Sequence, residues 1–203
     1  MKFIYGKNSW KDLALGEENC YLLSNGLGGF SSLTVTGGNA RNDHALLIAS
    51  VKAPVVRYHM VTNIHACVVH DAGYDYLNHP GDWRGLYPMN AHVFDLASQR
   101  YAGMTKNQEG YKYLESFVFE YLPQWKYKAE DVEVVQTVFM KYGENTVAVR
   151  YDIEADSCGW LLLTPWFQFV NKGEKMLRTQ AFDKDGEKIT SNGQSLFYAA
   201  RYS

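Results

Sequence analysis

The sequence predicts an all-β fold, a sandwich of two antiparallel sheets with few short helices. Three observations carry that expectation. Apolar and polar residues alternate with a period of two over several segments, and turn-forming Gly, Asn and Pro interrupt them at short intervals. No segment sustains an i, i+3, i+4, i+7 apolar stripe over three helical turns. The 203 residues also hold 15 Tyr, 10 Phe and 5 Trp but only 5 Pro. Such rings suit half-buried pleated surfaces, and they also stack on flat ligand faces.

Taken in order, Ser9 caps a short helical turn through Trp10, Leu13 and Ala14. Asn25-Gly26-Leu27-Gly28-Gly29-Phe30 is a tight turn, with Gly26, Gly28 and Gly29 as its structural residues. Segments 32–36, 45–51 and a long 55–69 read as strands. Segment 71–110 contains Gly73, Gly81, Gly85, Gly103, Gly110 and two prolines, and reads as a loop-rich insertion within which 96–104 offers a second short helix. Segment 113–121 alternates again and stops at Pro123. Segments 131–140 and 146–153 flank Lys141-Tyr142-Gly143-Glu144-Asn145, which predicts a hairpin turned on Gly143 and Asn145. Pro165 within 161–170 implies an edge strand or a bulge. Short strands at 189–190 and 196–200 flank Asn192-Gly193. The length accommodates one domain over 1–203.

Composition excludes several functions. A net charge of −2 without a basic run lacks the footprint that nucleic acid demands. The longest apolar runs, Ala45 to Ala49 and Trp160 to Leu163, are far too short for a membrane helix. Met1 leads into a polar opening without the apolar core of a signal peptide. Cys20, Cys67 and Cys158 are odd in number and form no C-x-x-C pair, so they read as reduced thiols in the cytoplasm.

The chemistry-bearing residues are sparse. The glycine turn lacks the Lys-Ser/Thr ending of a phosphate loop and is followed by a strand, not a helix. His44, His59, His65, His70, His79 and His92 cluster in sequence, yet His59 and His65 would lie roughly 20 Å apart on one strand. No H-E-x-x-H or G-x-S-x-G occurs, so neither a metal site, a cofactor nor a nucleophile is expected. Asp71, Asp75, Asp82 and Asp95 read as solvated turn residues before they read as a hydrolytic pair. Gly81-Asp82-Trp83-Arg84-Gly85-Leu86-Tyr87 offers Trp83 and Tyr87 to stack on a sugar and Arg84 to bond its hydroxyls, with a core position for Trp83 as the competing reading. Trp125 and Tyr127 present the same choice.

One arrangement is more specific. Tyr21-Leu22-Leu23-Ser24-Asn25-Gly26-Leu27-Gly28-Gly29-Phe30 precedes Thr34-Val35-Thr36-Gly37 and Asn39-Ala40-Arg41-Asn42-Asp43-His44-Ala45-Leu46-Leu47. Further on come Gly110-Tyr111-Lys112-Tyr113-Leu114-Glu115-Ser116-Phe117, Pro123-x-Trp125-x-Tyr127 and Gly143-Glu144-Asn145-Thr146-Val147. These blocks closely resemble, in order over about 17–170, the N-terminal domain of bacterial and archaeal glycogen debranching enzymes of the amylo-alpha-1,6-glucosidase type. That family usually reads Asn-Thr-Arg-Arg-Tyr-His-Gly-Leu-Leu, where this chain keeps the first Arg as Arg41 and the His as His44 but loses the second Arg, the Tyr and the Gly, with Asp43 and Ala45 flanking His44. Segment 71–110 also looks longer than the family's.

The resemblance implies a β-supersandwich that precedes a helical barrel carrying the two catalytic carboxylates. The expected role is therefore non-catalytic. The domain would pack on the barrel, absent from this chain, and shape an alpha-glucan site through Arg41, Asp43, His44 and the aromatic loops. Two alternatives stand beside it: a glucan transferase or hydrolase active alone, and a structural protein-binding sandwich.

Overall fold

The structure, a computed structural model, describes residues 2–52, 55–70, 92–101, 107–156, 159–172 and 198–202. In chain order these form β1 (Phe3–Gly6), α1 (Leu13–Gly16), β2 (Leu23–Ser24), β3 (Phe30–Ser32), β4 (Ala45–Lys52), β5 (Val56–His70) and β6 (His92–Asp95). They continue with β7 (Ser98–Gln99), β8 (Gln108–Glu109), β9 (Leu114–Phe119), β10 (Pro123–Ala129), β11 (Val132–Met140), β12 (Val147–Ala155), β13 (Gly159–Asn171) and β14 (Tyr198–Tyr202).

Among the described residues, two large antiparallel sheets and a two-stranded β7-β8 ribbon result. The first runs β1-β9-β10-β11-β12. Its strands follow the period-two pattern: Trp125, Tyr127 and Ala129 of β10 point inward, while Lys126 and Lys128 point out and pair with Glu133 of β11 at 2.7 and 3.4 Å. The second runs β14-β13-β5-β4-β3-β2. Here the 15-residue β5 matters most, because it pairs with β13 from Tyr58 to Val69 along one side. Its other side is shared: β4 pairs with it up to Val61, and β6 takes over from Cys67. Residues 62–66 therefore form a seam between two successive partners.

The core lies between the sheets. Trp125 and Phe117 of the first meet Leu46, Ala66, Val68 and Leu161 of the second. Alternation then sends Cys67, Val69, Trp160 and Leu162 to the opposite face of the second sheet, where they form a smaller apolar cluster with Val93.

Several expectations need correction. Helix α1 is capped by Asp12, whose Oδ1 accepts from Leu15 N at 2.8 Å, and Ser9 instead closes a 3-10 turn. The strand placed at 32–36 is β3, two residues earlier at its start. Beyond it the chain bends into a turn, with Gly37 N donating to Thr34 O at 2.8 Å. The described part of the supposed loop excursion contains β6, β7 and β8. Ser98 and Gln99, expected in a helix, are the strand β7, entered through a turn in which Asp95 Oδ1 accepts from Ala97 N. Of the two readings of Pro165, edge strand or bulge, the second fits, since β13 lies between β5 and β14 and shifts register just after it. The proline falls beyond Leu163, the last described partner of β14, and one residue before the register shift at Trp166 and Phe167. Segment 196–200 begins two residues ahead of β14, and 189–190 lies outside the described residues.

Candidate functional site

The seam along β5 leaves backbone groups that no strand pairs, and side-chain amides take the strand's place. Asn39 Nδ2 donates to His44 O at 2.8 Å and to Thr62 O at 3.1 Å. Asn63 Nδ2 donates to Gly37 O and to Asn39 Oδ1, both at 2.9 Å, while its Oδ1 accepts from Ile64 N at 2.8 Å. Gln99 brackets the Asn39 backbone, accepting from its N and donating to its O at 2.9 Å each. Leu96 N completes the closure by donating to Ala66 O. Three amide side chains thus lock the seam into one geometry.

A pocket of about 250 Å³ opens there. Thr62, Asn63 and His65 come from β5, Trp166, Phe167 and Gln168 from β13, and Asn39, Gln99 and Tyr101 from the closing segments. None of the nine is an acid, a lysine or an arginine. The His65 ring lies 5.3 Å from that of Trp166, tilted by 46°, and burial pulls its pKa down to about 4, so it is neutral at pH 7. Tyr101 donates to Gln108 Oε1 at 2.8 Å, and burial, followed by the Asp95 charge, pushes its hydroxyl up to about 12. Thr62 Oγ1 is buried without a hydrogen-bond partner. Trp166 is 40% exposed, whereas Trp160 at the start of the same strand is buried.

The Arg41 to His44 turn abuts this frame. His44 N donates to Arg41 O, and His44 Nδ1 accepts from Ala40 N at 3.1 Å, which places the ring proton of the neutral form on Nε2. Its carbonyl receives both Asn39 and, at 3.2 Å, His59 Nε2. His44 is buried, whereas Arg41 and Asp43 are exposed. Burial, reinforced by the Arg41 charge, lowers the His44 pKa, and burial lowers that of His59.

Compared with known families, residues 19–85 and 86–201 match the one described as Glycogen debranching enzyme N terminal. The chain belongs to that family. No curated protein and no solved structure matches it. The boundary between the two matched stretches falls inside segment 71–110.

Within this debranching-enzyme domain, the sequence-predicted candidates scatter. Trp125 and Tyr127, offered as sugar contacts, are core residues, which corrects that reading. Trp125 is fully buried, its ring 5.0 Å from Phe117 and 5.4 Å from Tyr21, and its Nε1 donates to Val35 O at 3.0 Å. Tyr127 is 3% exposed. Neither ring has a face left for a ligand. Trp83, Arg84 and Tyr87 lie outside the described residues. His44 alone joins the pocket's frame, through its carbonyl. Trp166, Asn39, Asn63 and Gln99 are the residues that sequence reasoning missed. The signal available was Pro165-Trp166, a break followed by a large ring in an apolar strand.

The turn residues form a separate structure that joins the sheets. Gly26, Gly28 and Gly143 have φ of 77°, 89° and 80°. Asn25 Oδ1 accepts from Leu27 N and Gly29 N at 2.9 Å, and its Nδ2 donates to Glu144 O and Asn145 Oδ1 at 3.0 Å. Gly143 N returns a bond to Asn25 O at 2.8 Å. The glycine turn is thus clasped to the β11–β12 hairpin tip. Among the described residues, no three His, Cys, Asp or Glu side chains gather as metal ligands.

Proposed function

We propose that this chain, read as one domain over 1–203, is the non-catalytic N-terminal part of a glycogen debranching enzyme. It packs on a helical catalytic domain and lends contacts to an alpha-glucan carrying alpha-1,6 branch points. The observation that carries this reading is the chemistry of the seam pocket. Its described lining residues bring aromatic and amide groups for holding a neutral ligand but no carboxyl group, and glycoside hydrolysis needs two carboxyls flanking the bond. Asp95, whose pKa burial raises, is occupied in holding the Ala97 and Gln108 turn. Arg41 and Asp43 are exposed and free to meet a partner domain, and Trp83, Arg84 and Tyr87 join the reading on sequence grounds. No described helix is long and apolar enough to cross a membrane. The exposed thiol of Cys20 suits a reducing cytoplasm.

The test pairs two assays. The chain alone, incubated with glycogen, is expected to release no new reducing ends. Mixed with a separately expressed helical catalytic domain, it is expected to co-elute with it in size-exclusion chromatography. New reducing ends from the chain alone, or two separate elution peaks, would overturn the reading.

A further inference from the structure

We propose that the seam pocket between β4 and β6 is a binding site for a single neutral pyranose ring, stacked on Trp166. The proposal rests on the reading of this domain as an alpha-glucan contact, and it adds the place and the residues.

The lining decides the ligand class by exclusion. A phosphate or carboxylate needs a cationic partner, and a metal or ammonium group needs an acid; the described lining residues offer neither. A purely apolar ligand would leave the remaining acceptor capacity of the partly exposed Tyr101 oxygen unmet. What remains is an uncharged molecule with apolar faces and a hydroxylated rim. The size agrees, because about 250 Å³ lies below the ~300–1,000 Å³ of sites for drug-sized ligands.

The frame is preorganised for such a guest. Asn39 and Asn63 are committed to each other and to the backbone, so they fix the shape without having to reorient on binding. The oxygen of Tyr101, whose proton goes to Gln108, is left to accept from a sugar hydroxyl. Trp166 presents its ring beside His65, and a sugar's C–H face would remove from water the apolar surface that 40% exposure leaves open.

The whole chain would be titrated with maltose, isomaltose and glucose, followed by tryptophan fluorescence and by saturation-transfer NMR. Saturable binding with a Kd of about 1–10 mM is expected, the affinity of a shallow site for one ring. Trp166→Ala should weaken it at least about tenfold and Trp166→Phe much less. Tyr101→Phe, which keeps the ring and removes the oxygen, should weaken it several-fold. Thermal melts would establish that each variant folds. No saturation by any of the three sugars, or an unchanged Kd in both Trp166→Ala and Tyr101→Phe, overturns the proposal. The catalytic-domain co-elution assay separates the two ideas. Sugar binding without co-elution defeats the packing role and leaves the pocket standing, and co-elution without sugar binding does the reverse.

Discussion

Asn145, at the tip of the β11–β12 hairpin, pairs with Ser50 of the opposite sheet as a strand neighbour would. Its Nδ2 donates to Ser50 O at 2.7 Å and its Oδ1 accepts from Ser50 N at 2.9 Å. One side-chain amide thereby satisfies both backbone groups of a β4 residue and ties the sheets together. Asn145→Ala is expected to destabilise the protein by roughly 1–3 kcal/mol in guanidinium titration. Asn145→Asp should cost about as much, because it replaces the donor facing Ser50 O with an oxygen. Wild-type midpoints for both variants would refute the role.

Two glycines of the same clasp should respond differently to alanine. At Gly29 an added Cβ would lie 2.6 Å from Asn25 Nδ2, 2.9 Å from Asn145 Oδ1 and 3.0 Å from Ile48 O. Nothing stands within 4 Å of a Cβ at Gly143, where the strain comes only from φ of 80°. Gly143→Ala should therefore cost about 1–2 kcal/mol, and Gly29→Ala more, since it opens the clasp. Equal losses in a melting comparison would argue against this account.

Trp125→Ala should cost about 3–5 kcal/mol as a core deletion. Trp125→Phe keeps a ring against Phe117 and Tyr21 but leaves Val35 O without its donor, so an intermediate loss is expected. Sugar titration of the Phe variant should match wild type, because this ring has no ligand face. A selective loss of sugar binding with full stability would return Trp125 to the ligand site.

Mild acid should weaken the fold through its buried histidines. Burial lowers the pKa values of His44, His59 and His65, the last to about 4, whereas an unfolded histidine titrates near 6.5. Below 6.5 the unfolded chain takes up protons that the folded chain refuses, so stability is full above that pH and falls toward pH 4. Asp95 works the other way, because burial raises its pKa and the folded form binds this proton more tightly than the unfolded chain. With three groups against one, the melting temperature should drop from pH 7.5 to pH 5, and His65→Gln should reduce the drop. A flat profile would show that these rings are not held neutral.

Local periodicity made much of the fold legible. Val147, Val149, Tyr151 and Ile153 share the inward face of β12, as their alternation predicts, because a strand's facing is a property of adjacent residues. Neighbours in sequence cannot reveal which aromatic ring is covered. Trp125 and Trp166 each follow a proline closely, yet parity turns the first into the core and leaves the second beside a pocket. The seam was illegible for a different reason. It exists only because β4 and β6, separated by some forty residues, take the same side of β5 in succession. The choice of Asp12 over Ser9 as helix cap was a matter of three residues, the usual scale of error for a boundary.

The clasp also bears on how the chain reaches this structure. Its bonds join positions 95 to 120 residues apart, whereas the β10–β11 hairpin closes over a two-residue turn. Closing so long a loop is entropically costly, so the hairpins should assemble first and the clasp should fasten after the rate-limiting barrier. Breaking it would then leave the folding rate nearly unchanged and accelerate unfolding, placing Asn145 among the residues that set the lifetime of the native state. Stopped-flow refolding of Asn145→Ala would decide this, a slowed folding arm being the outcome that contradicts it.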